Sequence, residues 1–151
     1  MRILILEDDP FIALDLQCIV EGEGHRASIC GTVAEARRHL ARGRPAESHP
    51  ADARPADARP ADDLDFALLD VDVTDGKSYD VACALAERRI PFVFVSGSKP
   101  GELPAALRDA RFISKPFLEE TIVAALPRAG TGAVRVHAFP RPAAADERPA
   151  A

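Results

Sequence analysis

Asp65-Phe66-Ala67-Leu68-Leu69-Asp70-Val71-Asp72-Val73-Thr74-Asp75-Gly76 is the stretch whose reading decides the fold. Its apolar run of four residues is the length of one buried strand and too short for a helix. The run stops at Asp70 and loosens into Asp72, Thr74, Asp75 and Gly76, which is turn chemistry. Asp70 is therefore expected at the carboxyl end of a buried strand, facing the loops. In open α/β sheets that edge is where ligands bind. One acid there proves little, and its partners have to come from elsewhere in the chain.

Outward from this stretch, apolar strands and amphipathic helices alternate. Residues 3–6 read as a strand closed by Glu7-Asp8-Asp9-Pro10, where Asp9 can cap a helix that begins at the proline. Ile12, Leu16, Ile19 and Val20 give that helix one continuous apolar face, and Gly22 and Gly24 end it. Residues 25–30 form a weaker strand. Thr32 then caps a helix faced by Val33, Ala36 and Leu40. Beyond the central stretch, Ser78 is the expected cap of a helix carrying Val81, Ala82, Leu85 and Ala86. Residues 91–95 are a strongly apolar strand ending at Ser96-Gly97. Residues 99–110 hold two prolines and a glycine, so any helix there is short, about 104–108. Phe112-Ile113 leads to Lys115-Pro116, and Leu118, Ile122, Ala125 and Leu126 mark a last helix stopped by Pro127. The pattern of strand and helix, five times over, predicts an α/β fold, a doubly wound parallel sheet of five strands with helices on both faces.

Two segments stand outside this alternation. Residues 44–63 are a Pro/Ala/Asp pentad repeat with prolines at 45, 50, 55 and 60, and no apolar face to bury. They read as an insertion, flexible and partly extended, inside a domain spanning residues 1–127. Residues 128–151, rich in alanine and proline, read as a disordered tail with one candidate strand at 134–139.

The totals narrow the function. A net charge of −5 without a basic stripe argues against nucleic acid. No apolar run approaches membrane-spanning length, and the amino terminus runs at once into three acids, so the expected setting is the cytoplasm. Cys18, Cys30 and Cys83 lack metal spacing and fit buried thiols in a reducing compartment, with Cys18 and Cys83 packed along helix faces. His25, His39, His49 and His137 share no ligand spacing either.

Polar groups end four of the five strands: Glu7-Asp8, Asp70, Ser96 and Lys115. On one rim, three carboxylates stay ionised together only with a cation between them, and an all-oxygen set suits Mg2+. A lysine and a hydroxyl facing that ion form a cradle for a phosphoryl group, which an aspartate can accept covalently.

Across roughly residues 1–127 the chain resembles the response-regulator receiver domains of two-component signalling, of the stand-alone type. The pieces that carry the resemblance, in the family's order, are ILILEDDP at 3–10, FALLDVDV at 66–73, FVFVSG at 92–97 and FISKPF at 112–117. Singly each is weak; four in order, each at a strand end, are specific. The resemblance implies a flavodoxin-like strand order of 2-1-3-4-5. It implies Asp70 as phospho-acceptor, Glu7 and Asp8 as metal acids, and the backbone carbonyl of Asp72 as a further Mg2+ ligand. It implies Ser96 as switch hydroxyl, Lys115 as phosphate-binding lysine before a cis proline, and Phe112 as switch aromatic. The implied partners are a histidine kinase or phosphotransfer protein and a downstream protein reading the phosphorylated face, with a homodimer left open. The chain would catalyse only its own phosphorylation and dephosphorylation. The sequence departs from the family after Asp70 and in its poor fourth helix at 99–110.

One enzymatic alternative has a motif behind it. Asp70 to Thr74 fits the DxDxT signature of haloacid-dehalogenase-like phosphatases, which also use a nucleophilic aspartate and Mg2+. That family places the signature after its first strand and an acidic pair near the end, the reverse of the order here.

Overall fold

The computed structural model describes residues 1–42 and 63–128. Strand β1 (Arg2–Leu6) is followed by helix α1 (Pro10–Gly22), strand β2 (Arg26–Cys30) and helix α2 (Val33–Arg42). Strand β3 (Phe66–Leu69) leads into a small hairpin, β4 (Asp72–Val73) and β5 (Gly76–Lys77), and then helix α3 (Tyr79–Glu87). Strand β6 (Phe92–Ser96), two 3-10 turns (Pro100–Glu102 and Ala105–Leu107), strand β7 (Arg111–Ser114) and helix α4 (Glu119–Ala125) complete the described chain.

Five strands form one parallel sheet in the order β2-β1-β3-β6-β7, the expected 2-1-3-4-5 arrangement counted over the sheet strands. In β1 the side chains from Ile3 to Leu6 are fully buried, as befits a central strand covered on both faces. Alternation then divides the core in two. Leu4, Leu6, Leu69 and Phe94 pack with α2 and α3, whereas Ile3, Ile5, Leu68 and Val95 pack with α1 and α4. The edge strands β2 and β7 are only partly covered, and Ile29 on β2 is exposed.

Several local expectations take a different form. The alternation is broken twice. A hairpin follows β3, because Asp75-Gly76 is a hairpin signal and Gly76 adopts φ +135°. After β6 the prolines and glycine of residues 99–110 leave two 3-10 turns where a fourth helix would stand; Leu103 and Leu107 are still buried from there. Asp9 caps α1 by accepting from the N–H groups of Phe11 and Ile12. Ser78 occupies the cap position of α3 but makes no capping bond, and its hydroxyl is buried without a partner. Cys18 and Cys83 are exposed, because each falls between the buried positions of its helix. Only Cys30, of the three, is a buried thiol, and burial pushes it up to about 11. Leu118 precedes α4 in extended backbone and is exposed, while Ile122, Ala125 and Leu126 are buried as expected. Apart from residues 63 and 128, the repeat at 44–63 and the tail at 128–151 lie outside the described residues.

Candidate functional site

The sheet ladder runs to the strand ends and fixes the rim. Asp70 N–H donates to Leu6 O at 2.8 Å, Glu7 N–H to Cys30 O at 3.0 Å, and Lys115 N–H to Ser96 O at 2.9 Å. Parallel strands in register therefore carry Glu7 and Asp8 from β1, Asp70 from β3, Ser96 from β6 and Lys115 from beyond β7 to one edge.

There the side chains meet. One oxygen from each of Glu7, Asp8 and Asp70 lies within 4.8 Å of the others. Glu7 and Asp70 are buried and Asp8 is exposed. Ser96 Oγ, also buried, donates to Asp70 Oδ1 at 2.7 Å. Lys115 Nζ donates to Glu7 Oε2 at 2.6 Å and to Asp70 Oδ2 at 2.8 Å, bridging the two acids from different strands. Asp9 N–H donates to Glu7 Oε1 at 3.0 Å. The Lys115–Pro116 bond is cis.

Burial pushes Glu7 above the ordinary carboxylate range, although the Lys115 and Asp9 hydrogen bonds pull the other way. For Lys115 burial works against the ammonium, but the hydrogen bonds to Asp70 and Glu7 outweigh it and raise the lysine. One ammonium against three carboxylates leaves the rim anionic. An all-oxygen set with that residual charge fits a hard divalent cation.

Two further residues carry implied roles, Asp72 through its backbone carbonyl and Phe112 through its ring. The Asp72 carboxylate turns to Lys77 and to Ser98 Oγ, the latter at 2.6 Å, and is not among the acids that converge. Those hydrogen bonds hold it below the usual carboxylate range. Phe112 lies half-buried on β7, its ring centroid 6.3 Å from that of Phe94.

Other groups at the rim escaped sequence reasoning. Thr74 Oγ1 donates to Asp8 Oδ2 at 3.0 Å. Asp75 accepts from Val33 N–H at 2.7 Å and Ala34 N–H at 3.0 Å, capping α2 beside Thr32, whose Oγ1 accepts from Glu35 N–H at 3.1 Å. The Asp-Gly pair announced the turn, but nothing local announced that its side chains reach residues over forty positions away.

The same fold recurs in known proteins. No protein-family model matches the sequence, and no curated protein matches it. Among solved structures, SdrG from Sphingomonas melonis Fr1 is 31% identical, with 83% of this chain and 92% of that chain covered at a TM-score of 0.63. The non-phosphorylated HemR receiver domain from Leptospira biflexa is 23% identical over 86% of this chain and 98% of that one, with a TM-score of 0.58. The response regulator TrrA from Thermotoga maritima, solved in complex with Mg2+-BeF, is 17% identical over 83% and 98%, with a TM-score of 0.59. This chain belongs to the receiver domains of response regulators. No helix among the described residues is long and apolar enough to cross a membrane.

Proposed function

We propose that residues 1–127 form a phospho-accepting receiver unit that takes a phosphoryl group onto Asp70 from a histidine kinase or phosphotransfer protein and signals by binding a downstream protein in the cytoplasm. The observation that carries this reading is Asp70 itself: buried at a strand end, with Ser96 on one carboxylate oxygen and Lys115 on the other. Glu7, Asp8 and Asp70, with the backbone carbonyl of Asp72, would hold Mg2+. When bound, that ion supplies charge neutralisation for an in-line transfer. An Asp70 oxygen attacks phosphorus. The new O–P bond forms as the bond from phosphorus to the donor's histidine nitrogen breaks, and that nitrogen keeps the electron pair. Lys115 and Ser96 then have phosphoryl oxygens to donate to in place of the carboxylate. Beyond promoting its own phosphorylation and dephosphorylation, the chain is not an enzyme in this reading.

The switch would run through Ser96 and Phe112. Ser96 Oγ already points at Asp70, so phosphorylation would exchange its acceptor rather than pull it in from afar. Phe112 is half-buried against Phe94, so it is not enclosed by the core on all sides. The haloacid-dehalogenase reading is not favoured, because the acidic pair directly follows β1, before the nucleophile strand, and Asp72 is engaged with Lys77 and Ser98.

Incubation with Mg2+ and acetyl phosphate, followed by intact mass, tests the proposal. One phosphate adduct is expected on the wild type and none on Asp70→Asn. An adduct of equal stoichiometry on that variant, or rapid repeated turnover of a phosphomonoester, would overturn it.

A further inference from the structure

The hairpin after Asp70 contains one residue of the Asp70–Thr74 motif that has no use once the phosphatase reading is set aside. Thr74 sits at its tip, and its hydroxyl donates to Asp8 Oδ2 at 3.0 Å. The tip is fixed from both sides. After it, Asp75 accepts two backbone N–H groups from the start of α2. Before it, Asp72 is held by Lys77 and by Ser98. Gly76, at φ +135°, takes the backbone conformation that a side chain would resist.

Each of the three converging acids has a donor that orients it. Glu7 has the N–H of Asp9, Asp70 has the hydroxyl of Ser96, and Asp8 has the hydroxyl of Thr74. Glu7 and Asp70 are also packed in place. Asp8 is exposed, so packing does not remove its rotamer freedom and a hydrogen bond matters more there. We propose that Thr74 is a positioning residue for the cation site, its hydroxyl holding the Asp8 carboxylate in ligand orientation from a hairpin anchored on both sides. The inference rests on the reading of Glu7, Asp8 and Asp70 as Mg2+ ligands. A carboxylate that accepts at one oxygen keeps its other oxygen for a metal. The β-branch of threonine limits χ1 and so keeps the hydroxyl aimed. Partners of this kind, one shell out from a metal, are worth roughly 10- to 100-fold in its affinity.

The test is calorimetric titration of Mg2+ alone into the full chain, for the wild type, Thr74→Val, Thr74→Ala and Thr74→Ser. Thermal unfolding of each metal-free protein serves as the control for folding. Valine keeps the shape and loses the donor, and Mg2+ affinity should fall about tenfold or more. Alanine should weaken it alike, serine should stay near the wild type, and the four metal-free proteins should unfold together. Unchanged affinity in Thr74→Val overturns the assignment. So does tighter binding, which would mean that the hydroxyl competes with the ion for Asp8, and so does a loss confined to valine. Failure of the wild type to bind Mg2+ removes the cation-site reading itself, a result distinct from the others.

Discussion

Lys115 is the residue on which the charge balance of the rim turns. Its ammonium lies between Glu7 and Asp70, where in the metal-free protein it does part of what a cation would do. Lys115→Ala leaves two buried carboxylates facing each other, and breaking such a pair costs on the order of 3 kcal/mol. Glu7, already raised by burial, can limit that cost by taking up a proton. The variant should still bind Mg2+, since the lysine competes with the ion for the same acids and does not ligate it. Urea unfolding with and without Mg2+ should therefore show a larger stabilisation by the ion in Lys115→Ala than in the wild type. Equal stabilisation of the two would show that lysine and ion do not share these acids. Glu7 also sets a sign for pH. Its folded pKa lies above 4.5, so the native state holds a proton more tightly than the unfolded chain. That contribution is complete below about pH 4.5 and is lost as pH rises through the folded value. Glu7→Gln should remove this fall from the metal-free stability profile.

At the scale of elements, the hairpin β4–β5 ties three parts of the rim together: Asp8 through Thr74, α2 through Asp75 and the segment after β6 through Asp72. Asp75 is held below the ordinary carboxylate range, first by the N–H groups of Val33 and Ala34. A depressed folded pKa gives stability that is full above the unfolded value of 3.8 and is lost as pH falls through the folded one. Asp75→Asn should thus lower the unfolding temperature at pH 7, and the gap to the wild type should shrink below about pH 3.8. A gap that does not change with pH would mean that charge at the helix start has no part in it. The hairpin was the element least legible in the sequence. Its strands have two residues each, below the length at which alternation can be seen, and its anchors are distant in the chain. By contrast α1 and α2 were legible because long apolar stripes and capping residues agree. The loss of a fourth helix was legible too, since Pro100, Gly101 and Pro104 remove helical backbone whatever the apolar pattern offers. Leu118 is apolar at helical spacing but lies one residue before its helix begins, a boundary that the apolar pattern does not mark.

Across the whole molecule, the site and the core are one construction. The acids stand at the ends of β1 and β3, neighbouring interior strands whose side chains are buried on both faces, and Lys115 follows β7 at the sheet's edge. That four strand ends would carry complementary polar groups was visible in the sequence, because each apolar run stops at one. Their order in the sheet was not, since periodicity places residues on faces and leaves strand neighbours undetermined; it came through the resemblance. The consequence is thermodynamic. Opening the cation site far enough to scatter Glu7, Asp8 and Asp70 means separating β1 from β3, which is close to unfolding the domain. An ion that binds the native rim and not the unfolded chain should therefore stabilise the whole fold, by about 2.7 kcal/mol at a hundred times its Kd. Hydrogen exchange reads where that stabilisation goes. Saturating Mg2+ should slow the amides of β1 and β3 together, by the factor that its effect on global unfolding predicts, while the exposed amides of α1 near Phe11 change little. In Asp70→Asn, with one carboxylate charge removed, the same Mg2+ concentration should slow them less. Protection confined to residues 7–9 and 70–77, with β1 and β3 unchanged, would mean that the rim opens without the sheet and would overturn the coupling of site to core.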